Sequence, residues 1–86
     1  MDRSGPRIRA NRKNQKALLS LLREIREEAG LRQVDMAKAI RMPQSVVSKY
    51  ESGERRLDIL ELRQICDAVG LTLNDFVARL ERALKR

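Results

Sequence analysis

Apolar residues recur at helical intervals along most of the chain. Between Lys16 and Ala29, Leu18, Leu19, Leu22, Ile25 and Ala29 line one side of a first helix, and Gly30 stands where a left-handed C-terminal cap belongs. Val34, Ala37 and Ile40 share a face of a second helix over about 33–40. Arg41-Met42-Pro43 breaks the pattern, and Val47 and Tyr50 resume it on a third helix over about 44–52, closed by Gly53. Asp58 offers a carboxylate N-cap to a fourth helix, about 59–69, with Ile59, Leu62, Ile65, Cys66 and Val69 as its inner face and Gly70 past its end. Thr72 with Asp75 three residues later has the spacing of a capping box and opens a fifth helix over about 73–84. The stripe Leu73, Phe76, Val77, Leu80 and Leu84 on that helix is longer than a domain of this size needs for its own core, so part of it is expected to meet a partner. No strand alternation and no internal repeat is visible, which makes the fold all-α with five helices.

Composition narrows this picture. At 86 residues the chain holds one domain with a small core, and one Phe, one Tyr and no Trp leave that core to aliphatic side chains. The net charge of +7 is unevenly spread: residues 1–16 carry six basic groups (Arg3, Arg7, Arg9, Arg12, Lys13 and Lys16) against Asp2, a net of +5, leaving +2 on the other 70 residues. A nearly balanced body, 17–86, behind a cationic arm, 1–16, favours a polyanionic partner, nucleic acid before an acidic membrane surface or an acidic protein. Nothing after Pro6 forbids helix, so the later part of the arm, from about Arg9, can extend the first helix. Cys66 is the only cysteine and His is absent, which excludes an intrachain disulfide and the usual cysteine and histidine metal sites. No apolar run approaches the ~20 residues of a membrane span, and a reduced, cytoplasmic setting with no membrane contact is expected.

The candidate chemistry lies in the second and third helices. Two short helices joined by a tight break form an arrangement suited to entering a DNA major groove, and the third helix turns Gln44, Ser45, Ser48 and Lys49 outward. Those side chains donate and accept hydrogen bonds, as reading base edges demands. Arg55 and Arg56, just past that helix, are placed to grip the phosphate backbone, and Arg9, Arg12 and Lys13 in the arm can reach phosphates or a minor groove.

With the helices placed, the stretch from about Leu19 to Leu80 resembles the Cro and phage-repressor type of helix-turn-helix domain, the XRE family. The resemblance rests on Arg26-Glu27-Glu28-Ala29-Gly30-Leu31, Gln33 opening the second helix, Ala37 within it, Gln44-Ser45-Val46-Val47-Ser48-Lys49, and Tyr50-Glu51-Ser52-Gly53. It implies a lambda-repressor-like fold, with the third helix as the recognition helix. Arg32 and Gln33 would meet phosphate at the start of the second helix, Val46 a thymine methyl, and Gln44 an adenine edge at two points. It also implies an ion pair between Arg26 and Glu51. Two positions depart from the family pattern. Arg41 replaces the turn glycine, where a positive φ costs ~1 kcal/mol or more and a phosphate contact by Arg41 would repay it. Pro43 replaces the usual Ser or Thr cap and brings no capping oxygen.

A single helix-turn-helix reads few base pairs, and a homodimer through helices four and five is expected, with Leu60, Val77, Leu80 and Leu84 at its interface. The resulting expectation is a sequence-specific regulator of transcription, a bacterial or phage-like repressor or controller, binding a palindromic operator on double-stranded DNA without a cofactor. An antitoxin or adaptor that also binds DNA is the competing reading, and a toxin, co-regulator or polymerase as protein partner stays open. Catalysis is not expected, because no nucleophile stands beside a base and no metal cluster can be assembled.

Overall fold

Five α-helices and the turns between them account for residues 12–85, the part of the chain described by the computed structural model: α1 (Arg12–Glu28), α2 (Gln33–Ile40), α3 (Gln44–Ser52), α4 (Ile59–Ala68) and α5 (Leu73–Leu84). Arg9 and the rest of the arm up to residue 11 lie outside these described residues. α1 begins at Arg12, inside the basic segment.

Helices of eight and nine residues such as α2 and α3 are too short to persist alone in water and depend on the face they bury. α2 buries Met36, Ala37 and Ile40, α3 buries Val47 and Tyr50, and both meet Leu21, Leu22 and Ile25 of α1 in one core that Ile65, Cys66 and Phe76 complete from α4 and α5. Ala37, only 3% exposed, is small where two helices approach across the turn. Met36, fully buried, belongs to this face together with Ala37 and Ile40, whereas Val34 is only half-buried. Two further expectations need correction. Ile59 is 58% exposed although it shares the helical face of Leu62 and Cys66, because at the first position of α4 it lies past the edge of the core that those residues meet. Ala29 lies exposed beyond the end of α1.

The turns follow their chemistry. Asp58 accepts from the backbone N–H of Glu61 at 2.8 Å while Glu61 accepts from that of Asp58 at 3.0 Å, and Thr72 and Asp75 do the same at 3.0 and 3.3 Å. Arg41 ends α2 in the left-handed conformation, φ 58° and ψ 46°. Its N–H donates to the Lys38 carbonyl at 3.2 Å and that of Met42 to Ala37 at 2.9 Å, the pair of bonds with which a Schellman turn satisfies the last carbonyls of a helix. Pro43 opens α3 with no side-chain cap bond. α5 is tied back to α1 by Arg79, whose guanidinium donates to Glu24 at 2.9 Å and to both Glu28 oxygens at 2.9 and 3.0 Å.

Candidate nucleic-acid interface

The surface that α3 turns away from the core is polar and open. Gln44, Ser45, Ser48 and Lys49 are all exposed, and among the described residues none of these side chains is engaged in a hydrogen bond or ion pair. Val46 is half-buried and leans on the core, so less of it faces outward than its place in the helix suggested.

Behind this face the helix is held by one carboxylate. Glu51, with its side chain 1% exposed, accepts from Nε of Arg26 at 2.7 Å and from Nη2 at 3.1 Å, and Nη1 of Arg26 donates to the Leu31 carbonyl at 2.8 Å. The side-chain amide of Gln33, the first residue of α2, donates to the same carboxylate at 3.2 Å, and Arg23 lies 3.7 Å from it. The end of α3 is thus joined to both α1 and α2 by charge-assisted bonds in a water-poor setting, where such bonds are strong. The hydrogen bond to Glu51 raises the pKa of Arg26 above its ordinary value, so the guanidinium stays charged. Nothing in the sequence pattern singled out Arg23. Its signal was a position three residues before Arg26, on the same flank of α1.

The remaining cations differ in how they are held and exposed. At the start of α2, Arg32 meets Asp35 through Nε and Nη2, both at 3.0 Å, while its backbone N–H donates to the same carboxylate at 2.9 Å. These bonds hold the Asp35 carboxyl down at about 2. Past α3, Arg55 donates to Glu61 at 2.8 and 3.4 Å and lowers the Glu61 pKa below the usual carboxylate range. Arg12, Arg41 and Arg56 are exposed, as is Lys13 in the first turn of α1. Leu60 is 71% and Val77 43% exposed, whereas Leu80 and Leu84 are half-buried and Leu80 packs against the core. Burial pushes the Cys66 thiol up from its ordinary value, the opposite of what a reactive thiolate needs. Among the described residues no group of three metal-ligating side chains comes together, and no helix is long and apolar enough to cross a membrane.

A helix-turn-helix family model matches residues 22–76, the span that contains the whole of α2, α3 and α4. Among solved structures, an XRE-family like protein from Pseudomonas syringae pv. tomato str. DC3000 is 40% identical, with 80% of this chain and 84% of that one covered at a TM-score of 0.74. The restriction-modification controller protein C.Esp1396I (22% identical, 85% of this chain and 94% of that one, TM-score 0.78) and the clp gene regulator ClgR from Corynebacterium glutamicum (24% identical, 84% and 77%, TM-score 0.74) share the fold. No curated protein matches the chain.

Proposed function

Since this chain belongs to the XRE family of helix-turn-helix proteins, we propose that it is a sequence-specific regulator of transcription that binds a palindromic operator on double-stranded DNA as a homodimer. The observation that carries this reading is the exposed row Gln44, Ser45, Ser48 and Lys49 on a helix braced from behind by Glu51. Hydrogen-bonding side chains left without partners, on a support that cannot easily tilt, are what base readout asks for, and bidentate contacts of this kind discriminate by ~1–3 kcal/mol each. Gln44 takes an adenine edge, Lys49 a guanine or a phosphate, and the exposed part of Val46 a thymine methyl. Gln33, with its amide turned to Glu51, meets phosphate chiefly through the backbone N–H at the start of α2. Arg41, Arg56, Arg12, Lys13 and Arg9 hold the duplex, while Arg32 and Arg55 do so only by sharing themselves with Asp35 and Glu61.

The dimer reading draws on Leu60 and Val77, which are too exposed to serve the core of a single copy, with Leu80 and Leu84 beside Val77 on α5. The controller and the clp gene regulator that share the fold are regulators by name, which agrees with this assignment. Selection of bound sequences from a random duplex pool tests it: a palindromic consensus is expected, and Gln44→Ala with Lys49→Ala abolishes the preference while the fold persists. A pool that shows no enrichment refutes the proposal.

A further inference from the structure

The open cations do not stop at α3 and its loops. Arg12, Lys16 and Arg23 fall on one flank of α1 at spacings of four and seven residues, and together with Gln15, Leu19 and Ser20 they wall a groove of about 430 Å³ that ends at Glu51. We propose that this flank of α1 is a second contact surface for the phosphate backbone of duplex DNA, beside the one on α3; the inference rests on the DNA-binding reading above.

Three observations carry it. First, the flank is fixed against the end of the recognition helix: a Cβ on Gly53 would lie 3.0 Å from Leu19 Cδ1 and 3.6 Å from the Gln15 amide nitrogen, so α1 rides directly on the α3 terminus. A second groove, lined by Gln15, Leu18 and Leu19 together with Arg55 and Arg56, sets the early turns of α1 beside the loop that follows α3. Second, the charges are available. Arg32 and Arg55 are each held by a carboxylate at 3.0 and 2.8 Å. Arg12 and Lys16 have no carboxylate within 4 Å among the described residues, and Arg23 stands 3.7 Å from a Glu51 that Arg26 already holds. Two of the three acidic groups of α1, Glu24 and Glu28, are engaged by Arg79 of α5, and the third, Glu27, forms no ion pair with these cations among the described residues. Third, the dimensions suit a strand. Positions 12 to 23 span ~16 Å of helix, enough to meet several phosphates spaced ~3.4 Å along the duplex axis. Gln15 and Ser20 add hydrogen-bond donors between the cations, which positions a backbone without reading its sequence.

The test is the salt dependence of binding by the full chain to a duplex selected from the random pool. Each phosphate that a cation neutralises contributes ~0.9 to the slope of log K against log salt, so Arg12→Gln/Lys16→Gln/Arg23→Gln, which removes three cations from each of two protomers, is expected to lower the slope for the dimer by about 5 and to weaken selected and scrambled duplexes by the same factor. Arg12→Gln/Lys16→Gln, which leaves the Glu51 cluster intact, is expected to lower it by about 3 to 4. A control of equal charge, Lys38→Gln/Arg63→Gln/Arg82→Gln, is expected to leave the slope within about 0.5 of the wild type, with thermal midpoints showing that all three variants are folded. An unchanged slope in the α1 variants, or an equal fall in the control, overturns the proposal. Failure of the unaltered chain to bind any duplex instead overturns the DNA-binding reading on which it rests.

Discussion

Replacing Arg26 by Met removes the cation from beside a carboxylate that water barely reaches. Glu51 keeps the Gln33 amide at 3.2 Å and the distant Arg23, while the Leu31 carbonyl is deprived of its donor. Breaking a buried pair from one side costs about 3–5 kcal/mol. Arg23, with 58% of its side chain exposed, is free to swing toward Glu51 and brings the cost to the lower end, about 3 kcal/mol. A domain of this size falls by about 4–8 °C in Tm per kcal/mol, so Arg26→Met is expected to lower Tm by roughly 12–24 °C. The double variant Arg26→Met/Glu51→Leu removes both charges and fills the space with apolar volume, so it is expected to return to within about 2 kcal/mol of the wild type. Urea denaturation of the wild type, the two single variants and the double variant, followed by circular dichroism, completes the cycle. A cost of Arg26→Met below about 1 kcal/mol, or a double variant no more stable than that single one, refutes the assignment of Glu51 as the joint between α3 and its neighbours.

Two further outcomes follow from the turns. Arg41→Gly relieves a side chain held at φ 58°; the left-handed conformation costs about 1–2 kcal/mol and the extra freedom of glycine in the unfolded chain takes back about 0.4–1. A net gain of about 0.5–1 kcal/mol is therefore expected in urea denaturation, and a decrease contradicts the strain at this turn. Asp35 keeps its charge down to about pH 2 in the folded chain because of Arg32, but binds a proton near pH 4 when unfolded. The contribution of this pair is complete above about pH 4 and disappears as pH falls through about 2. Asp35→Asn is expected to flatten the stability profile across that window, and an unaltered profile disproves the pairing.

Much of the fold was legible because its punctuation is local. Asp58 with Glu61 and Thr72 with Asp75 mark helix starts within three residues of each other, and Gly30 and Gly53 mark helix ends at positive φ. Faces were harder to read. Val34, Ala37 and Ile40 describe an acceptable helical stripe, yet Met36 is the residue with no exposure, because the direction of the core across a short helix is decided by neighbours distant in sequence. Ile59 misled differently: it is on the right face of α4 but at its first position, past the edge of the core. At the site, the outward placement of Gln44, Ser45, Ser48 and Lys49 follows from period alone, whereas the commitments of the charges do not. The Arg32–Asp35 pair has a readable spacing of three, but the bonds from Arg79 to Glu24 and Glu28 join residues 55 and 51 positions apart, and no periodicity announces them.

The nine residues of α3 have no durability of their own, and the one carboxylate near their end is shared with two other helices. Fraying from that end therefore requires α1 and α2 to let go in the same event, so the amides around Tyr50 exchange with solvent only when the whole domain opens. A segment so anchored meets its ligand already shaped, with little ordering entropy left to give up on binding.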